Sequence, residues 1–265
     1  MTRNPPFALS KWYFDCVDKD GRTFIGYLGE LRWKSLSIHY QSLLLHSAGE
    51  GMRTKLSLRR GSPPSVSGPT LVWKSSPLQV EGTWTAMEPP VRATILDSET
   101  GKIEWNCTQP RAAARVRIAK AAAVCGLGYA EHLRMTIPPW RLPLKELRWG
   151  RFLSDSDSLV WIDWRGPYSK RVVFHNGTEV QAESITEQQV VLTGRDVILD
   201  FEESLVLREG ILATTALSKI PNVQKLFPQS VMGIRECKWR SRAVLRRAGV
   251  PQSSGWAIHE VVQWP

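Results

Sequence analysis

Period-two alternation of apolar and polar residues is the feature that most restricts this chain. In "MRTKLSLRR", Met52, Thr54, Leu56 and Leu58 alternate with Arg53, Lys55, Ser57 and Arg59. In "LQVEGTWTA", Leu78, Val80, Gly82 and Trp84 alternate with Gln79, Glu81, Thr83 and Thr85, and "KIEWN" and "ARVRI" repeat the pattern. Successive side chains of a strand point to opposite faces, so such stretches read as strands with one face to a core and one to water. Between them lie turn formers: "DKDGR" at Asp18–Arg22, "SETGK" at Ser98–Lys102 and "HNGTE" at His175–Glu179. Asn176-Gly177 is the strongest of these hairpin signals, because both residues tolerate positive φ.

Many short strands joined this way predict an all-β chain of antiparallel barrels or sandwiches. Roughly ten strands are expected before Pro138 and eight or nine after Glu146. "IPPWRLP" (Ile137–Pro143) carries three prolines, which a central strand excludes, and marks the expected boundary between domains 1–140 and 141–265. Arg59–Pro69 reads as a mobile loop. Helix is scarce: "RSRAVLRRAG" (Arg240–Gly249) is the best candidate, with Gly249 as its stop. "ALSKIPNVQKLF" offers a short turn or helix, and "AAAVCG" a short helix or a buried strand. The final "GWAIHEVVQWP" reads as a strand able to close a second barrel.

The chain has 265 residues and a formal net charge of +10. No apolar run approaches the ~20 residues of a membrane span, and "MTRNPPFALSKWYFD" lacks the hydrophobic block of a signal peptide, so a cytoplasmic protein is expected. Four dispersed cysteines, without a CxxC pair, predict free thiols rather than disulfides or zinc. The five histidines show no metal-ligand spacing. Arg and Lys are spread along the chain, so no specific nucleic-acid partner is expected. Twelve tryptophans against seven phenylalanines fit either an aromatic β-core or an aromatic-lined cavity for an apolar ligand.

Familiar catalytic signatures are absent: no GxSxG, P-loop, GxGxxG or HExxH. The stretch "GLGYAEHLRM" (Gly126–Met135) stands out. Extended, it puts Tyr129, Glu131 and Leu133 on one face and Ala130, His132 and Arg134 on the other, unless a bulge re-aims one of them. A glutamate facing into an aromatic barrel would have its charged form disfavoured and could act as an acid at neutral pH. The alternative is a surface Glu–His–Arg strand edge. In "LRWKSLSIHYQSLL", Trp33 and Tyr40 are candidate substrate contacts and His39 a structural or rim residue. In "SLVWIDWRGPYSK", Trp161 is a further candidate contact and Asp163 reads as a turn-proximal aspartate.

"KWYFDCVDKDGRTFIGYLGELRW", "GLGYAEH" and "RWGRF" together resemble the two-domain lipocalin-like family. That family includes carotenoid 1,2-hydratases, AttH-like proteins and fungal Diels–Alderases. Trp12, Tyr13, Phe14 and Asp15 look like its opening strand. Gly126, Gly128, Tyr129, Glu131, His132, Trp149 and Gly150 look like its central motif. Two departures are present: glutamate stands where aspartate is usual, and Leu133–Arg148 separates the histidine from Trp-Gly. The resemblance implies two consecutive lipocalin-like antiparallel β-barrels and a cofactor-independent enzyme of isoprenoid or polyketide metabolism. It would hydrate or cyclise an apolar polyene-type substrate. Glu131, His132 and Tyr129 would be catalytic, and Trp33, Tyr40, Trp149 and Trp161 would line the substrate. No cofactor and no metal is implied. Peripheral membrane association is a further expectation for reaching a lipophilic substrate. A non-catalytic carrier of a lipophilic molecule is the alternative reading.

Overall fold

A computed structural model describes residues 6–119, 121–194, 196–211 and 227–265. The described residues form nineteen strands, one 3-10 turn at Pro139–Arg141 and one short helix at Gln229–Met232. They fall into two compact units, Met1–Pro138 and Pro139–Pro265. The chain is all-β, with two antiparallel, barrel-like sheets.

The first unit runs β1 (Phe7–Val17), β2 (Thr23–Trp33), β3 (Leu36–Ser47), β4 (Gly51–Ser57), β5 (Ser65–Ser67), β6 (Thr70–Ser75), β7 (Val80–Ala86), β8 (Val91–Ser98), β9 (Gly101–Ile118) and β10 (Ala121–Met135). Its strand order is β4-β3-β2-β1-β10-β9-β7-β6-β5, with β8 on β9. The first strand therefore pairs with the last. The second unit repeats the scheme with β11 (Glu146–Leu153), β12 (Ser158–Arg165), β13 (Lys170–His175), β14 (Thr178–Val180), β15 (Ala182–Ile185), β16 (Gln189–Leu192), β17 (Val197–Ile211), β18 (Arg235–Arg247) and β19 (Val250–Gln263). Its order is β14-β13-β12-β11-β19-β18-β17-β16-β15.

In the first barrel the inward face is filled. Phe14 stacks on Trp73 with centroids 4.7 Å apart and lies 5.2 Å from Trp84. All three are fully buried, with Phe24, Leu71 and Val116 beside them. The Trp84 indole donates to the Asp15 carbonyl at 2.7 Å, which satisfies its buried N–H. That indole crosses Gly128: a Cβ there would fall 2.5 Å from the Ala114 Cβ, 2.6 Å from the Asp15 carbonyl oxygen and 2.7 Å from the Trp84 Nε1. Gly128 is thus a packing glycine.

In the second barrel Phe152, Leu159, Trp161, Leu199 and Leu245 form the core. His259 stacks on Phe201 at 4.2 Å and on Trp239 at 5.2 Å, and its Nε2 lies 2.8 Å from the Ser241 hydroxyl. Burial first, then the nearby Lys238 and Arg148 cations, lower its pKa from 6.5 to about 3. At the tip of the β13–β14 hairpin, Asn176 and Gly177 both adopt positive φ, at 49° and 74°. This is the turn their dipeptide predicts.

Four local expectations are corrected. Arg240–Gly249 is not a helix: Arg240–Arg247 lies in β18, paired on both edges. Ser241, Ala243 and Leu245 are fully buried on one face, while Arg242 and Arg246 stay exposed. Period-two burial overrides helix propensity there, and Gly249 (φ 70°) turns a hairpin. The Arg59–Pro69 segment is not all loop, because Ser65–Ser67 pairs with β6. β4 is a strand at the open edge of the sheet, so Met52 and Thr54 are exposed rather than half-buried. Asp163 sits mid-strand, buried, and is held by Arg165 at 2.6 Å and Arg171 at 3.0 Å. Within "ALSKIPNVQKLF", 216–226 lies outside the described residues.

Two outcomes follow. Gly128→Ala should destabilise the chain by about 1–3 kcal/mol in urea unfolding, because backbone oxygen cannot yield as a side chain can; an unchanged midpoint contradicts this packing. For His259 the folded pKa is depressed, so between about pH 6.5 and about pH 3 the unfolded chain binds the proton and the folded one does not. Stability should therefore fall as pH drops through that window. His259→Asn should flatten part of the slope measured by urea midpoint against pH; an identical slope removes the assignment.

Candidate active site

The β1–β10 register sorts the opening motif into two faces. Trp12 lies opposite His132 and Phe14 opposite Ala130; Tyr13 lies opposite Glu131 and Asp15 opposite Tyr129. Residues paired across an antiparallel ladder share a face. Trp12 and Phe14 belong to the core side, so Tyr13, Asp15, Tyr129 and Glu131 occupy the outward face. Tyr13 also pairs with Tyr27, and Tyr40 pairs with Gly29, two places along from Tyr27. Four of the chain's five tyrosines therefore share this face. Tyr13 meets Tyr27 edge-on at 5.3 Å and Tyr129 at 6.0 Å.

β9 completes the site through a register change. Gly128 faces Ala112, Ala130 faces Gln109, and Glu131 faces Cys107, with irregularities at both steps. Pro110 lies in this stretch and has no N–H to give a ladder bond, which favours a bulge there. Beyond it, Trp105 and Cys107 are buried on the face that carries Glu131.

Glu131 is only 5% exposed. Its Oε2 accepts the Trp105 indole N–H at 2.5 Å and the Tyr129 hydroxyl at 2.6 Å. Burial first, then the neighbouring Cys107 and Glu131, pushes Tyr129 well above the ordinary phenol value, so it remains a donor. Burial likewise pushes the Cys107 thiol well up, and it stays protonated. Asp15, fully buried, stands on the same face. The arrangement is one buried carboxyl fixed by two neutral donors beside tyrosine rings. Such a group can give or share a proton with a substrate that reaches it.

His132 is placed elsewhere. It stacks on Trp12 at 4.4 Å, and its Nε2 lies 2.8 Å from the Ser10 hydroxyl, on the core side of the sheet. Burial, then Arg134, lowers its pKa to about 4, so it is neutral at physiological pH. Adjacent in sequence, Glu131 and His132 thus have separate partners on separate faces. The expectation of a glutamate facing into the barrel is corrected in the same way: His132, not Glu131, is on the inward side.

Trp33 and Tyr40 share Glu131's face; Trp33 lies at the far end of β2, with the Lys34 ammonium 5.2 Å from its ring. Trp149 and Trp161 belong to the second unit and lie on opposite faces of its sheet. Trp149 pairs with Ile162 and Glu260 and carries the Lys238 ammonium 4.9 Å from its ring; Lys238 pairs with Glu260. Trp161 is a core residue, 5.8 Å from Phe201. His39 is partly exposed, 3.4 Å from the Ser37 hydroxyl.

Sequence reasoning missed Trp105, Cys107 and Tyr13 as neighbours of Glu131. The available signals were Pro110 inside a strand and the Trp-Tyr-Phe-Asp alternation. It also missed an internal repeat: Gly128-Tyr129-Ala130-Glu131-His132 in β10 corresponds to Gly255-Trp256-Ala257-Ile258-His259 in β19. The register agrees, with Phe14 opposite Ala130 and Phe152 opposite Ala257. In the second barrel, Ile258 therefore stands where the first has Glu131.

No family model matches the sequence, and no curated protein matches it either. Solved structures do match. CghA, solved with Sch210972, is 10% identical, with a TM-score of 0.63 over 97% of this chain and 89% of that one. Kievitone hydratase from Nectria haematococca is 11% identical, with a TM-score of 0.57 over 96% of this chain and 88% of that one. A putative AttH from Nitrosomonas europaea is 10% identical, with a TM-score of 0.52 over 97% of this chain and 92% of that one. At these identities the likeness is one of fold: the chain has the two-barrel architecture seen in CghA, kievitone hydratase and the AttH protein.

Proposed function

We propose that the chain is a cofactor-independent enzyme that hydrates or cyclises an apolar substrate, with Glu131 as proton donor or hydrogen-bond activator. The observation that carries this reading is the buried Glu131 carboxyl, anchored by Trp105 and Tyr129 on a tyrosine-rich face. The fold shared with a protein named as a hydratase supports the reaction class. An isoprenoid or polyketide-derived polyene is the substrate class we propose, on the strength of the motif resemblance.

The chemistry fits these residues. Protonating an alkene needs one acid and surroundings that tolerate cationic character, which tyrosine rings provide. Water then adds and the oxonium returns a proton to the Glu131 carboxylate, or an internal double bond attacks to close the ring and the resulting cation gives up a proton to the same carboxylate. A pericyclic closure needs less: a shaped wall and one hydrogen bond to an activating carbonyl. Tyr129 holds the acid, and His132 acts at most through Trp12 and Ser10. A lipocalin-type carrier would hold its ligand inside a barrel, yet Phe14, Trp73 and Trp84 fill that space in the first barrel. The catalytic reading is therefore preferred.

Incubating the protein with a lipophilic extract of its source, followed by mass spectrometry, should show one component converted. Glu131→Gln, which keeps the shape and removes the acid, should slow that conversion by about 10²–10⁴-fold. Wild-type conversion by the variant contradicts the acid role. A ligand bound and recovered unchanged supports the carrier instead.

A further inference from the structure

We infer that Trp105 is a positioning residue that holds Oε2 of Glu131 as an acceptor and keeps proton exchange off that oxygen, an inference that rests on reading Glu131 as the acid. A carboxylate oxygen has two lone pairs. On Oε2, one meets the Trp105 N–H at 2.5 Å and the other the Tyr129 hydroxyl at 2.6 Å. A proton arriving on Oε2 must displace a donor, so exchange on that oxygen is opposed.

The two donors are not equivalent. A tyrosine hydroxyl can donate or accept, and could rotate to follow a proton onto Oε2. An indole N–H donates in every state and cannot accept. Trp105 is therefore the one-way element of the lock. It keeps Oε2 an acceptor whether Glu131 is charged or neutral, and it leaves the carboxyl one orientation.

β9 contains a device that delivers this indole. If the Gly128–Ala112 register continued unbroken, Gln109 would lie opposite Glu131. The two-residue shift around Pro110 puts Cys107 there instead and brings Trp105 two positions nearer, about 7 Å along the strand. Gln109 would have offered an amide that can turn either its donor or its acceptor toward the acid. The shift exchanges that ambiguous partner for an obligate donor.

The test needs no substrate. In protein labelled with 15N-tryptophan, the Trp105 indole N–H resonance is identified by its loss in Trp105→Phe. It should lie far downfield, move with pH along the titration of Glu131, and lose that movement in Glu131→Gln. In 13C-glutamate-labelled protein, Trp105→Phe should move the Glu131 midpoint upward, because a donor to the charged form is gone. Tyr129→Phe should also raise it, and Trp105 should retain its downfield shift in that variant. An indole resonance indifferent to pH and to Glu131→Gln overturns the inference, even if Trp105→Phe fails to fold. An unmoved carboxyl midpoint in folded Trp105→Phe overturns it as well. If these signatures hold while Glu131→Gln keeps full turnover, the acid reading fails and the positioning geometry stands.

Discussion

The pairing of β1 with β10 is the constraint on which the rest depends. It joins the first strand of the barrel to the last, and its register decides what each face receives. Because side chains alternate with a period of two, a slip of one residue would exchange the faces. If β1 slipped, Trp12 and Phe14 would leave the core, Tyr13 and Asp15 would enter it, and Glu131 would lose its partner on the outward face. Core packing against Trp73 and Trp84 excludes that slip. Gly128 adds a second guard, because the Trp84 indole needs the space a side chain would fill. The force that orders the inside thus also aims the acid on the outside.

The two barrels share a scaffold and differ at the acid. Both pair their first strand with their last, and both place a glycine-aromatic-alanine segment ending in histidine on the last strand. Each histidine is neutral, is stacked on aromatic rings and meets a serine hydroxyl. That recurrence suits a structural histidine better than a catalytic one. Glu131 has no such echo, since Ile258 takes its place and is fully buried. A buried carboxyl with fixed donors is costly unless its hydrogen bonds are made. Trp105 and Tyr129 make them.

The strand content was readable because alternation, Asn-Gly turns and proline placement each act locally. The pairing of Tyr129 and Glu131 on one face was readable for the same reason. What was not readable came from long-range pairing. Arg240–Arg247 has a helix-like composition, and only its two partner strands impose the period of two. Glu131's inward aim was expected from its aromatic-rich surroundings; the aromatic core lies on the other face, which alternation alone cannot label inside or outside. Trp105 is 26 residues from Glu131, and their contact depends on a register shift that a proline signals without specifying. Asp163 looked like a turn residue because the arginines that bury it come from different points of the chain, Arg165 in its own strand and Arg171 in the next.

Carbodiimide coupling of glycine ethyl ester to the native protein, read residue by residue by mass spectrometry, tests the central claim directly. Exposed carboxyls such as Glu99 and Glu202 should be labelled readily. The carboxyl of residue 131 should stay unlabelled until denaturant unfolds the chain. Labelling of residue 131 at the rate of those exposed groups would mean that water reaches it freely, and the account would be wrong.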